Sequence, residues 1–498
     1  MIKTKKKFKD KKNNFKETLE SCSESILKSN SKYSRKMAGI TLIALVLTIV
    51  VLIILSTITI NFAFGENGLV SITEDARDIT TEATEKEGIE MAVADSKIKD
   101  ITTPDREKEN LEESLRSQLG NDANFTVTEN GDGSFLINMN DSQRSYYVES
   151  TGEIIAQSEW IEIGTAEELK AFRDEVNSGN TFEGKYIRLT NNITLDINEE
   201  WEPIGYYYQN SEDTSIKDGI HNENHKPFSG IFDGQGHTVD YMKINNSKYG
   251  QGLFGLVDSG EIKNINLGEN CSLNMQGNSG CGGIVGIVRT AGEIYNCNNY
   301  ADMEQTRGGV VGTIVGSVTV SNCKNYGELT NAMGGIVGAS NGADWEEYKN
   351  QSHTIINCGN YGTINRLTGA YAGGIVGFFK GNIYSSFNKG NIISEDRVVG
   401  GIVGQVDGSI ISCYNVADII GDNNVGGISG IISLGNIINS YSIANLTGDY
   451  SVGTFYGYSP STKIENCYSD KDEFNAESLG SAFKDDYEEE SINNGYPI

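Results

Sequence analysis

Proline and histidine are nearly missing from this chain of 498 residues, which holds 5 Pro and 4 His beside 58 Gly. Glycine without proline points to many tight corners inside a regular structure, not to a flexible linker. None of the 8 Cys sits in a C-x-x-C pair, which argues for packing over a zinc site or a disulfide framework. Basic residues are also scarce beyond the N-terminus. Residues 1–36 carry twelve Lys/Arg against four acids, which leaves 28 bases against 64 acids for the rest of a chain of net charge −28. So acidic a surface repels nucleic acid and anionic lipid headgroups, excluding a nucleic-acid role for the large domain. Asn, Ile and Tyr are abundant, and the length exceeds one ordinary core, so a repeat architecture or several domains is expected.

One long apolar run stands near the N-terminus. No residue from Met37 to Gly65 is charged, and Ile40 to Ile60 is almost unbroken. Twenty-one helical residues at 1.5 Å each span roughly 30 Å, the hydrocarbon thickness of a bilayer. Arg35 and Lys36 lie on its N-terminal side and acids follow it. The positive-inside rule then predicts a single-pass membrane protein with residues 1–36 as a basic cytoplasmic leader, 37–64 as the membrane helix, and the remainder at the cell surface. A cleaved secretory signal fits less well, because the run is long and no small-x-small site closes it.

Gly39-Ile40-Thr41-Leu42-Ile43-Ala44-Leu45 resembles the prepilin-type signal of type IV pilins and pilin-like proteins. That resemblance implies cleavage between Gly39 and Ile40, and other pilin-like subunits as partners. Ala44 stands where major pilins carry the Glu that helps subunits dock.

Residues 65–157 read as a stalk. A polar helix is predicted from Ser71 to about Lys99 with Ile79, Ala83, Ile89 and Val93 near helical spacing, and a short helix over Glu107–Leu119. Strands over Asn124–Thr128 and Ser134–Asn138 flank Asn130-Gly131-Asp132-Gly133, a hairpin signal, with further strands near Tyr146–Val148 and Glu153–Ala156.

From there a repeat takes over. Gly282-Gly283-Ile284-Val285-Gly286 returns at Gly308, Gly334, Gly373, Gly400 and Gly426 in steps of 26, 26, 39, 27 and 26 residues, with degenerate copies at Gly252 and Gly453. The step of 39 holds a polar loop, Asn341–Ser352, that contains Trp345. About 15 residues into each copy, and 24 into the one that carries the loop, a second landmark ends at Cys297, Cys323, Cys358, Cys413 and Cys467, with Ser386 and Ser440 in the Cys place of two copies. Each period thus offers two short apolar strands, and only stacking against neighbours buries their face. The fold class expected is mainly β, a right-handed parallel β-helix of ~26-residue coils, with Gly at the corners, Asn at the turns and Cys/Ser as an inward ladder. Roughly nine coils at ~4.8 Å each give a rod on the order of 40–45 Å.

These repeats resemble the GLUG motif of bacterial surface proteins over residues 252–470. Upstream, residues 158–251 read as cap and first coils. Thr165-Ala166-Glu167-Glu168 is a capping box opening a helix to about Val176, placed to plug the open end of the solenoid. The acidic tail, 471–498, is placed to cover the other end.

Chemistry is thin. His221-Asn222-Glu223-Asn224-His225 is H-x-E-x-H in a region with no helical pattern, so it reads as a surface loop and no metal site or cofactor is expected. His237 and His353 are isolated, and no Ser-His-Asp set can be assembled by spacing. Trp201, Tyr206, Tyr207, Tyr208 and Trp345 fall in insertions, where exposed aromatics could stack on sugars or anchor a protein partner, or simply pack over the solenoid flank. The expected role is non-catalytic, a membrane-anchored adhesion or display module facing glycans or host and cell-surface proteins. A minor pilin-like subunit is the first alternative, and a carbohydrate-active β-helix enzyme the second.

Overall fold

A computed structural model describes residues 69–469 and 495–497, apart from 101–106, 131–132, 209–221, 277–279, 341–350, 352, 368 and 396–397. The leader and the expected membrane helix, 37–64, lie outside the described residues. Among the described residues no helix is long and apolar enough to cross a membrane. The chain divides into two compact units, through Ala123 and from Asn124.

The first unit holds helix α1 (Leu69–Asp100) and helix α2 (Glu107–Leu119), the two segments expected from their spacing. Ile89, Ala92 and Val93 are buried, as are Leu111 and Leu115. Ala83, expected on the same stripe, is exposed. The last residue of α2, Leu119, sits against Gly88, so α2 ends before it could cover Ala83.

The second unit opens with an antiparallel meander, β1 (Phe125–Glu129), β2 (Phe135–Met139), β3 (Arg144–Val148) and β4 (Ile154–Ala156). The Asn130 turn forms as expected, with the Asn130 amide donating to the Ser134 carbonyl at 2.9 Å. This small sheet, read from sequence as part of a stalk with the helices, lies in the unit of the solenoid.

From Ile161 the chain winds into a β-solenoid of about 10 turns built of parallel sheets. Successive coils pair in register at the repeat distance: Ile294 with Val320, Asn299 with Asn325, and Met303 with Leu329. The two strands expected per coil are in fact four, and five in the later coils. One coil runs Val285–Val288, Ala291–Tyr295, Asn298–Asn299 and Met303–Glu304. Two of these are two residues long, too short to leave an alternating pattern in the sequence. Ile, Val and Cys from every coil merge into one continuous apolar core.

The capping box forms as read. Thr165 Oγ1 accepts from the Glu168 amide and Glu168 accepts from the Thr165 amide, opening helix α3 (Ala166–Ser178). Its apolar face, Leu169, Phe172 and Val176, joins the solenoid core, with Phe172 against Phe182, Phe228 and Phe232. At the other end Gly495–Pro497 pairs parallel with Cys467–Ser469.

Glycine does a different job from the one expected. The residues with left-handed backbone at one corner are Asn296, Asn322, Asn357, Ser385, Ser412, Asn439 and Asn466, with φ between 45° and 58°. Asn tolerates this conformation better than most residues. The Gly-Gly pairs instead mark a close approach of backbones. A Cβ on Gly308 would lie 2.1 Å from the Val311 carbonyl oxygen and 2.5 Å from the Gly338 nitrogen in the next coil. Space, not φ, excludes a side chain there.

Candidate functional site

The aromatics singled out from sequence are mostly buried. Trp201 is 4 % exposed, its Nε1 donating to the Leu253 carbonyl at 3.2 Å and its ring lying under the Arg173 guanidinium. Tyr207, 3 % exposed, packs with Leu256, Ile287 and Val315. Tyr206 and Tyr208 are half-buried and meet edge to face. An open aromatic platform is therefore not what Trp201 and Tyr207 form, because both side chains pack against the coils. Trp345, Gly39, Ile40 and His221 lie outside the described residues. His225 is buried, its Nδ1 accepting from the Tyr208 amide at 2.9 Å and its ring against Tyr207. Among the described residues no group of three His, Cys, Asp or Glu is placed to hold a metal ion.

The thiol ladder lies where expected. Cys297, Cys323, Cys358, Cys413 and Cys467 are at most 1 % exposed, and Ser386 and Ser440 complete the column. Each thiol is flanked by main-chain carbonyls, as Cys323 is by Ser321 O at 3.2 Å and Ile294 O at 3.5 Å. Burial pushes the Cys413 thiol up to about 12, and Cys323 and Cys358 well above the ordinary range. Thiols held protonated are poor nucleophiles and poor metal ligands.

Two assemblies escaped the sequence reading. The first is an ionic cluster where the small sheet meets the solenoid. Lys263, 0 % exposed, donates to Glu261 Oε1 at 2.6 Å and to the hydroxyl of Tyr147 from β3. Beside it Tyr186 donates to Asp233 Oδ2 at 2.6 Å, and Asp233 also accepts from the Gln235 amide, Gln235 Nε2 and Asn264 Nδ2. Burial, then the neighbouring Asp233 charge, raises the Tyr186 phenol far above its ordinary value, so it stays a donor. A cleft of about 370 Å³ opens alongside, lined by Tyr147, Tyr186, Gln235, Asn264 and Asn296. Four donors satisfy Asp233, and Lys263 is matched by Glu261. The cluster satisfies itself, as a buried ionic network must. Its members come from β3 and three different coils, so no spacing in the sequence announces it.

The second is a row of exposed and half-buried aromatics on the outer face of the sheet that carries the inner Asn residues. Tyr300, Tyr326 and Tyr361 stack with ring centroids 4.7 and 4.8 Å apart and planes within 7°. Phe387, Tyr414 and Tyr441 continue the row at 5.1 and 4.9 Å, and Tyr468 pairs with Tyr441 in register. The two segments join edge to face at Tyr361–Phe387, where Gly359 leaves room for the Phe387 ring. Tyr300, Tyr326, Tyr361 and Tyr468 are each about 40 % exposed. A signal was present: the aromatic falls three residues after the Cys in Cys297, Cys323 and Cys358, and directly after it in Cys413 and Cys467.

No family model matches this chain, and no curated protein matches it.

Proposed function

We propose that this chain is a non-catalytic, membrane-anchored cell-surface protein, an adhesion or ligand-display module whose GLUG-like β-helix holds a binding face away from the membrane. The observation that carries this reading is the division of labour around the coil. The recurring inward positions are spent on stacking, while one outer face presents a row of exposed and half-buried aromatics in two offset segments. Apolar surface exposed in a contiguous patch marks interaction sites more often than structural ones. The basic leader followed by the apolar run, 37–64, supports anchoring with the solenoid outside. Protease shaving of intact cells tests it: the solenoid should be released while a cytoplasmic control stays whole, and a solenoid protected until lysis would refute surface display.

The Gly39-Ile40 motif favours a second reading, a minor pilin-like subunit with the solenoid at a filament tip. A mature N-terminus at Ile40 in sheared filaments would support it. An uncleaved chain confined to membranes would remove it.

A further inference from the structure

We infer that the aromatic row is a binding surface for a linear, neutral polysaccharide, lying along the axis of the solenoid. This rests on the display reading only for its biological setting.

Charge distribution carries the first step. The sheet has two outward columns. One runs Asn266, Asn298, Lys324, Gly359, Phe387, Tyr414, Tyr441, Tyr468, and the other holds Tyr300, Tyr326, Tyr361, Lys389, Val416 and Ile443. Between Tyr300 and Tyr468 neither contains a carboxylate, in a chain with 68 acids and 40 bases; the second column reaches one, Asp240, two coils before the row begins. Along the row itself Lys324 and Lys389 are the charges present, and Lys389 lies over the Tyr361 and Phe387 rings at 5.6 and 5.2 Å. A polyanion approaching the rest of this surface is repelled. Beside the aliphatic Val416 and Ile443, the strip is built of amides, phenols, ring edges and two ammonium donors, the groups that meet hydroxyls.

Geometry carries the second step. Ring faces inside the row are covered by their neighbours, so a sugar cannot stack on them one by one. What remains outward is a ridge of ring edges and phenolic hydroxyls, repeated every ~4.8 Å over roughly 30 Å. Such a ridge offers little to a single sugar or to a globular partner that needs a pocket for its anchor side chain. It suits a polymer that repeats. The rings are fixed by stacking and backbone register, so their ordering cost is already met before contact. Weak contacts in a rigid row then add along one chain.

The experiment uses the full-length chain in uncharged nanodiscs, titrated with neutral β-linked gluco-, chito-, laminari- and manno-oligosaccharides of two to eight sugars. Polygalacturonate is the acidic comparison. At least one neutral series should bind with affinity rising by about tenfold or more from two sugars to six, as additive contacts require. Tyr361→Ser with Phe387→Ser, at the middle of the row, should lower the affinity of the longer members by about tenfold. Tyr450→Ser, 67 % exposed and outside these columns, should leave it unchanged. Melting temperatures establish that the variants are folded. No binding by any neutral series overturns the inference. So does affinity independent of length, preference for polygalacturonate, binding indifferent to the double substitution, or a row that mediates only self-association of the chain. Loss of sugar binding leaves the display reading intact, whereas a sugar-binding chain protected from shaving sinks display and leaves the strip.

Discussion

The buried asparagine ladder offers the sharpest test of how the solenoid is held together, and Asn360→Leu is the perturbation. Asn360 is 0 % exposed. Its Nδ2 donates to the Gly362 carbonyl and to Asn388 Oδ1, both at 2.8 Å, and its Oδ1 accepts from Asn325 Nδ2 at 2.9 Å. Leucine removes all three bonds at once. It strands one N–H of Asn325, the Oδ1 of Asn388 and the Gly362 carbonyl, all shut off from water. Each orphaned group costs about 1–3 kcal/mol. Burying leucine returns roughly 1.5–3 kcal/mol, but not all of that is available here. The Asn360 amide already sits 2.5 Å from where a Cβ on Gly335 would be, so a branched side chain has to push the backbone away. The net loss expected is about 3 kcal/mol, borne by the coils in contact because repeats couple mainly to their neighbours. Native-state hydrogen exchange reads it: protection of the Ile336, Ile375 and Ile402 amides should fall about a hundredfold, as ~3 kcal/mol requires. A change of less than threefold would refute the ladder as a stabilising network.

Gly308→Ala should destabilise by more than about 2 kcal/mol in urea unfolding, since its Cβ meets backbone atoms. Gly236→Ala, at φ 77° with open space around it, should cost only about 1–2 kcal/mol, the left-handed penalty alone; equal losses would contradict the close-approach account. Cys358→Ser should be tolerated within about 1.5 kcal/mol, because Ser386 fills the equivalent place and donates to the Tyr384 carbonyl at 2.8 Å. The folded protein's ladder thiols should resist iodoacetamide at pH 8 by mass spectrometry, and rapid alkylation would refute their burial. His353 is 3 % exposed, with Nδ1 unpartnered, and burial lowers its pKa from 6.5 to about 4. The unfolded chain binds this proton first, so His353 leaves stability unaffected above pH 6.5. It removes up to about 3 kcal/mol as pH falls from 6.5 toward 4. Subtracting the pH profile of His353→Phe isolates this loss from the carboxylates, and superimposable profiles would refute it.

The solenoid was legible because stacking forces a repeat in space to be a repeat in sequence. The Gly-Gly and Cys landmarks fixed the coil length, and α3 was announced by Thr165 and Glu168, whose side chains meet the backbone locally. Strand number was not legible. Asn298–Asn299 and Met303–Glu304 are strands of only two residues, where no alternation develops. Trp201 and Tyr207 misled for a related reason: falling outside the repeat says where a residue is in the chain, not which way it folds back. The Lys263–Tyr147–Asp233 cluster depends on contacts more than a hundred residues apart and leaves no local trace. The aromatic row was written in the repeat, but its two segments sit two positions apart in the register, which hides their continuity.

That register also shows how polar ladders are ended, which a repeat protein must solve at both extremities. The inner ladder donates toward the C-terminal coils, from Asn299 through Asn325, Asn360 and Asn388 to Asn415. At its start the Asn299 Oδ1 accepts from the Ala301 amide at 3.1 Å. At its far end the next place is Ser442, whose buried Oγ has no partner. The corner ladder runs the other way, Asn296 Nδ2 to Asn264 Oδ1 and Asn264 Nδ2 to Asp233 Oδ1. It ends on a carboxylate, the one side-chain group that only accepts. Asp233 therefore ends the corner ladder inside the ionic cluster, and Asp233→Asn should weaken both. An amide there brings two donors to a site already holding four. Urea unfolding of Asp233→Asn should fall by about 2 kcal/mol or more, and Tyr147→Phe in the same background should add less than it does alone, since both act on one network. Fully additive losses would separate the ladder from the cluster.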